Sequence, residues 1–251
     1  MISRLLTISA VAVCTNMASA QGTPAPKAAE FDAFSASTFS FDETISFYNF
    51  DSAGTTTEFN QAVNWITPVK DLVAHLELPV YTNTVTGAGM LTLGATWQVL
   101  TEPCSFVDSF SVSGAVKFAT SSAGFGGDSC NWLLKADATG KMPVGKLFWS
   151  AGFSYEFNNG DYIPVFGGLV TDDIMLVKGG LQYEIMDKLQ VGARYAYWYQ
   201  TSDQTIMTLG PGCQYQICPN AVLDFSCDIP VNQYSGSDLD LVVSFGASIK
   251  F

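Results

Sequence analysis

The chain has 251 residues, with 11 Lys or Arg against 23 Asp or Glu, for a net charge of -12. That balance argues against nucleic-acid binding, which needs clustered basic side chains. Hydrophobic residues make up 48%, aromatic residues 13% and charged residues only 14%, which excludes a disordered chain. Beyond the N-terminus no run of about 20 apolar residues occurs, so no helical membrane span is expected.

Residues 1–20 carry a three-part export pattern. Arg4 supplies the positive region, Leu5 to Val13 the apolar run, and Ala18-Ser19-Ala20 the small-residue cleavage box. The competing reading is a short buried helix. Cleavage is expected before Gln21. Residues 21–34 read as a flexible leader, and residues 35–251 as one β-domain.

From there on the chain alternates with period two, the mark of strands. The expected strands are 36–49, 57–67, 70–82, 90–100, 108–119, 131–140, 147–157, 174–186, 189–200 and 239–251. The last is the clearest. Leu239, Leu241, Val243, Phe245, Ala247, Ile249 and Phe251 form an apolar set, interleaved with the mostly polar or small Asp240, Val242, Ser244, Gly246, Ser248 and Lys250. Most of these strands are about twice the usual length of five or six residues. A tilted strand needs about 9–11 residues to cross a bilayer. Length and alternation together favour an all-β, antiparallel transmembrane barrel of about ten strands. A secreted sandwich, the soluble alternative, predicts shorter strands and polar outer faces. An open sheet in lipid would leave its edge groups unpaired.

Connection lengths support the barrel. Pro68-Val69, Met142 to Gly145 and Met186-Asp187-Lys188 are short and fall on the periplasmic side by parity. Thr101–Val107 is a longer connection on that side. The external connections 120–130, 158–173 and 201–238 are long. Segment 201–238 reads as a long external loop. The alternative is a further hairpin, Gln204–Gly210 with Ala221–Asp228, which would raise the count to twelve.

With apolar faces toward lipid, the inward polar residues can be read off. Arg194, Glu156 and Glu184 are the central candidates, on neighbouring strands where contact is geometrically possible. Lys178, Lys135, Asp137, His75 and Glu77 accompany them, with Asp42, Lys117, Asp238, Asp240 and Lys250. The near balance of signs fits either a plugged, salt-bridged interior or a narrow conduit. His75 is the sole histidine. It reads as a lumenal hydrogen-bond partner of Glu77; a hydrolase would need a serine beside it. No metal site, cofactor motif or phosphate loop is present, and no enzyme is expected.

Export to an oxidising compartment makes disulfides an expectation. Parity places Cys130, Cys213, Cys218 and Cys227 outside and Cys104 in the periplasm. Of the three pairings that four external cysteines allow, Cys213–Cys218 with Cys130–Cys227 is preferred.

Residues 71–97 read DLVAHLELPVYTNTVTGAGMLTLGATW and residues 112–127 read VSGAVKFATSSAGFGG. This pattern resembles the outer-membrane family associated with the meta-pathway of phenol degradation, over roughly residues 57–200 and the last strand. The terminal Phe251 resembles the C-terminal signature of bacterial outer-membrane proteins. The resemblance implies a transporter of hydrophobic compounds. The expectation is a monomeric outer-membrane barrel in contact with lipid, passing small solutes, hydrophobic ones included, with no cofactor. A barrel acting through disulfide-stapled external loops is the alternative. A barrel-embedded lipid hydrolase built on His75 is a third reading.

Overall fold

The computed structural model describes residues 39–50, 54–82, 86–100, 106–120, 126–127, 129–143, 145–159, 162–163, 173–200, 204–233 and 239–251. The export segment, the leader, Cys104 and Asp238 lie outside these residues. Among the described residues every regular element is a strand.

Of fifteen strands, three are only two or three residues long, which leaves twelve long ones. They are β1 (Phe39–Phe50), β2 (Gly54–Ile66), β3 (Leu72–Thr82), β4 (Leu91–Leu100), β5 (Ser109–Phe118), β6 (Asn131–Lys141), β7 (Leu147–Phe157), β8 (Ile174–Met186), β9 (Leu189–Gln200), β10 (Gln204–Cys218), β11 (Ala221–Gln233) and β12 (Leu239–Lys250). Each pairs antiparallel with its neighbours in sequence. β1 pairs with β12, so the sheet closes and no edge is left. Thr86–Ala88 extends β4 past Gly89 and Met90, and Gly126–Gly127 pairs with Tyr162–Ile163 outside the barrel ladder.

The count of ten is corrected to the alternative of twelve. Segment 201–238 is not a loop: it holds β10 and β11, joined at residues 219–220. Alternation is plain in β11, but Gly210-Pro211-Gly212 in β10 imitates a turn.

The two ends of the barrel differ. At the end that holds Phe39 and Phe251, whose amide donates to the Phe39 carbonyl at 2.9 Å, the connections are 67–71, 101–108, 142–146, 187–188 and 219–220. Three of them turn on a residue in the left-handed region: Asp71 (φ 61), Gly145 (φ 73) and Lys188 (φ 73). A tight turn between twisted strands requires such a conformation. At the opposite end the longest connections, 119–130 and 158–173, are found.

Burial is inverted relative to a soluble protein. The best-buried side chains include Ser226, Thr208, Asn131, Thr92 and Glu156, all facing inward. The outward face carries Leu76, Leu93, Leu134, Phe153, Leu181, Leu209 and Phe245, all exposed. Outward aromatics gather toward the two ends. Phe39, Trp65, Trp97, Tyr183 and Tyr215 lie toward the terminal end, and Trp132 and Phe157 toward the other. An apolar band between aromatic girdles is the outer surface of a barrel built for lipid.

The hairpin β10–β11 also overturns the cysteine expectation. Cys213 and Cys218 share one strand, five residues apart, a span of about 17 Å at strand rise. That is well beyond the reach of a disulfide. Cys218 sits at the terminal end rather than the external one, and Cys227 lies inside β11. Cys130, Cys213, Cys218 and Cys227 are all free.

In a lipid bilayer Leu181→Arg, at mid-height on the outer face, should lower stability by about 2–4 kcal/mol. Gln182→Arg, one residue on and facing the lumen, should cost less than about 1 kcal/mol. Urea titration of liposome-embedded protein measures both. Equal costs would mean that the outer face does not meet lipid.

Candidate functional site

The lumen is where the inward side chains of all twelve strands converge. The residues singled out from sequence do face it, but register disperses the expected trio. Glu156 lies opposite Leu133 and Ile174, near the end away from the termini. Arg194 lies opposite Gly180 and Gly210, at mid-height. Glu184 lies opposite Gln190, near the terminal end. The three are not in contact, because strand neighbours share a height only where the register pairs them.

Each takes a different partner. Lys117 Nζ donates to Glu156 Oε2 at 2.6 Å, and Asn131 Nδ2 donates to Oε1 at 2.9 Å. Asn131 is 1% exposed and Glu156 6%, so this triad closes off one side of the far end. Glu184 Oε1 accepts from Lys146 Nζ at 2.6 Å. Lys146 lies in the 142–146 connection. Its hydrogen bond to Glu184, and then the Glu184 charge, hold its ammonium above the ordinary lysine range. Arg194 Nε stands 3.6 Å from Asp228 Oδ1, and Ser226 donates to Asp228 Oδ2 at 3.2 Å. Lys178 Nζ stands 3.1 Å from Asp137 Oδ1.

The wall formed by β1 to β3 is carboxylate-rich. Tyr48 donates to Glu58 Oε2 at 2.8 Å, Asn60 Nδ2 to Glu77 Oε1 at 2.5 Å, and Asn64 Nδ2 to Asp42 Oδ2 at 2.6 Å. Ser248 also donates to Asp42. Glu77 lies within electrostatic range of Lys135. His75 pairs in register with Asn64 and Gly94, and a Cβ at Gly94 would collide with its ring. So His75 lies flat on a bare stretch of β4. Among the described residues no serine or threonine hydroxyl is hydrogen-bonded to it, as the hydrolase reading requires.

Glycine opens the opposite wall. Gly152, Gly180, Gly212 and Gly246 all face inward, and charged side chains lie across them. A Cβ at Gly212 would sit 3.0 Å from Arg194 Cδ, and one at Gly152 2.5 Å from Asp137 Oδ1. One at Gly246 would strike the Asp224 carboxylate. An interior glycine weakens a strand, and its use here marks a place where something approaches the backbone closely. Here that something is the row of charged side chains, and the space it frees is a cavity of about 410 Å³. Lys178, Arg194, Gln182, Gln214 and Asp228 supply its polar lining. A second space of about 280 Å³ adjoins it through Arg194, Trp198 and Asp228 and reaches Ser46, Thr208, Asp224 and Ser244.

Toward the end away from the termini this second space meets the one buried apolar cluster among the described residues. Phe50, Ile206, Leu239 and Val242 form it, with Tyr48 and Trp198 packed against them. Inward from that end, apolar side chains come first and charged ones next.

Sequence reasoning missed Asp224 and Asp228, because it placed them in a loop. The alternation Val222, Asp224, Ser226, Asp228 against Leu223, Phe225, Cys227, Ile229 was the signal that could have found them. It also passed over Glu58 and Tyr48. Asp240, expected to face inward, is exposed at the far rim, 3.4 Å from Asn49 Nδ2.

No protein-family model matches the chain, and no curated protein matches its sequence. Solved structures do match its fold. An outer membrane channel from Pseudomonas putida F1 superposes with a TM-score of 0.65 at 10% identity, over 90% of this chain and 100% of that one. The NanC porin gives 0.59 at 12% identity, over 84% and 100%. The KdgM porin gives 0.55 at 11% identity, over 84% and 99%. At these identities the likeness is one of fold.

Glu156→Gln should destabilise the barrel by about 1–2 kcal/mol, because Lys117, mostly buried, then loses the carboxylate 2.6 Å away. Removing both charges in Lys117→Met/Glu156→Gln should recover part of the loss. Unfolding of the three proteins in lipid tests this through the double-mutant cycle.

Proposed function

We propose that this protein is an outer-membrane channel through which small solutes pass passively along a polar, glycine-widened lumen. The observation that carries the reading is the inversion of burial in a closed barrel. Leu, Phe and Trp lie outside and Ser, Thr, Asn and paired charges inside. Such a shell is stable in lipid and wet within. The short-turn end with both termini then faces the periplasm, and the end with the longest connections faces outward.

The solute class follows from the lumen. Lys178 and Arg194 are paired with Asp137 and Asp228, and Asp224 adds a third carboxylate beside them, so the path offers both signs of charge, much of it already paired. Small polar solutes fit that path. The apolar cluster around Phe50, Ile206 and Leu239 supports a second reading: solutes with an apolar part, as the phenol-pathway resemblance implies, make first contact there. With Cys130, Cys213, Cys218 and Cys227 free, the reading through disulfide-stapled loops has no cross-links to rest on.

Planar-bilayer recording of the refolded chain should give small discrete conductance steps. Arg194→Gln should shift ion preference toward cations and Asp228→Asn toward anions, since each removes one side of the Arg194–Asp228 pair. A heat-modifiable barrel without conductance would sink the channel reading. Liposome swelling with a sugar and with a phenol then separates the two solute classes.

A further inference from the structure

Every strand presents an outward face, and among the described strand residues two charges lie off the lumen: Asp240, exposed at the far rim beside Asn49, and Glu43 of β1, which lies well inside the apolar band. Its face is fixed by register. Glu43 pairs with Gln61 of β2 and Ala247 of β12, between the outward pairs Phe41–Val63 and Ile45–Phe59. Gln61 is exposed, and its partner on β3 is Leu78. No ion pair or side-chain hydrogen bond engages Glu43 among the described residues.

Depth makes this costly. The Phe39–Trp65 pair marks the terminal rim. Four residues further along a strand tilted by about 40°, Glu43 sits about 10 Å into the apolar band. Ionisable side chains inside a membrane are expensive and pair with something. Within its own chain the polar neighbour on that face is the neutral amide of Gln61; lipid tails offer no partner, and the lumen is on the other side of the sheet.

We propose that the β1–β2 face binds a second copy of this chain. Rotation by two-fold symmetry about an axis along the membrane normal, passing between Glu43 and Gln61, brings this pair of positions against its own reverse. Glu43 then meets Gln61 of the second copy, and the amide N–H donates to the carboxyl oxygen twice over, once on each side of the axis. Phe41, Ile45, Phe59 and Val63 flank the two positions on both strands, apolar throughout, and keep the contact dry. A self-complementary patch of this kind is what an isologous interface requires. Against the expectation of a monomer, Glu43 in the lipid-facing band argues for a dimer. The inference rests on the membrane placement of the barrel, not on what passes through it.

The test is the association state of the full chain in mild detergent, by light scattering coupled to size exclusion, and in liposomes, by subunit counting. Native protein should be dimeric. Glu43→Leu and Gln61→Leu should each weaken association about tenfold or more while heat-modifiable mobility is kept, since leucine suits the lipid face. Glu43→Gln should stay dimeric, because two amides also pair reciprocally. A native monomer in both settings, or a dimer untouched by Glu43→Leu, overturns the inference and leaves the barrel reading standing. A chain that stays soluble without detergent and does not enter liposomes overturns the membrane placement and the dimer together.

Discussion

The backbone hydrogen-bond ladder has no end. β1 pairs with β12 as fully as it pairs with β2, so the amides and carbonyls of twelve strands are satisfied around a circle. Everything else follows from that closure. A strand in a closed sheet has one face in and one face out, and the outer face no longer needs to be wet. It can be as apolar as Leu93, Leu134 and Leu181 make it. The interior then cannot be a hydrophobic core, because too few apolar residues remain to fill it. Packing inside depends instead on polar side chains finding each other.

That requirement explains the lumenal wiring. Asn131, Glu156 and Lys117 form one knot, Asp42, Asn64 and Ser248 another, and Ser46 meets Ser244 at 2.9 Å. Buried polar groups are stable only when partnered. These knots sit where side chains on both neighbouring strands are large enough to meet. Where the wall is glycine, along Gly152, Gly180 and Gly212, the side chains lie flat and space remains. Tied and open stretches alternate around the circumference: the knots span β5 to β7 and β12 to β2, and the glycine positions of β7, β8 and β10 leave the space between.

Alternation made most of the strands legible. Residues 147–157, 189–200 and 241–250 are as they read, because a side chain's face depends only on its parity along its own strand; at the start of β12 a register shift reverses Leu239 and Asp240. The reading failed at β10. Gly210, Pro211 and Gly212 look like a turn, yet here Pro211 points outward while the two glycines clear room beside Arg194 and Asp228. Losing β10 also misplaced β11, and with it Asp224, Asp228 and three cysteines. The lesson is local: glycines that open a lumen carry the same letters as glycines that turn a chain.

The sequence by itself determined which side chains face lipid and which face the interior, and how many residues each crossing takes. Those are properties of one strand at a time. Who meets whom inside was decided only by tertiary structure. Arg194 and Glu156 are inward residues on strands two apart, yet the register offsets them in height and gives Arg194 to Asp228 and Glu156 to Lys117. Register is a relation between strands, fixed by turn lengths, bulges and closure of the whole circle. No window of the sequence contains it.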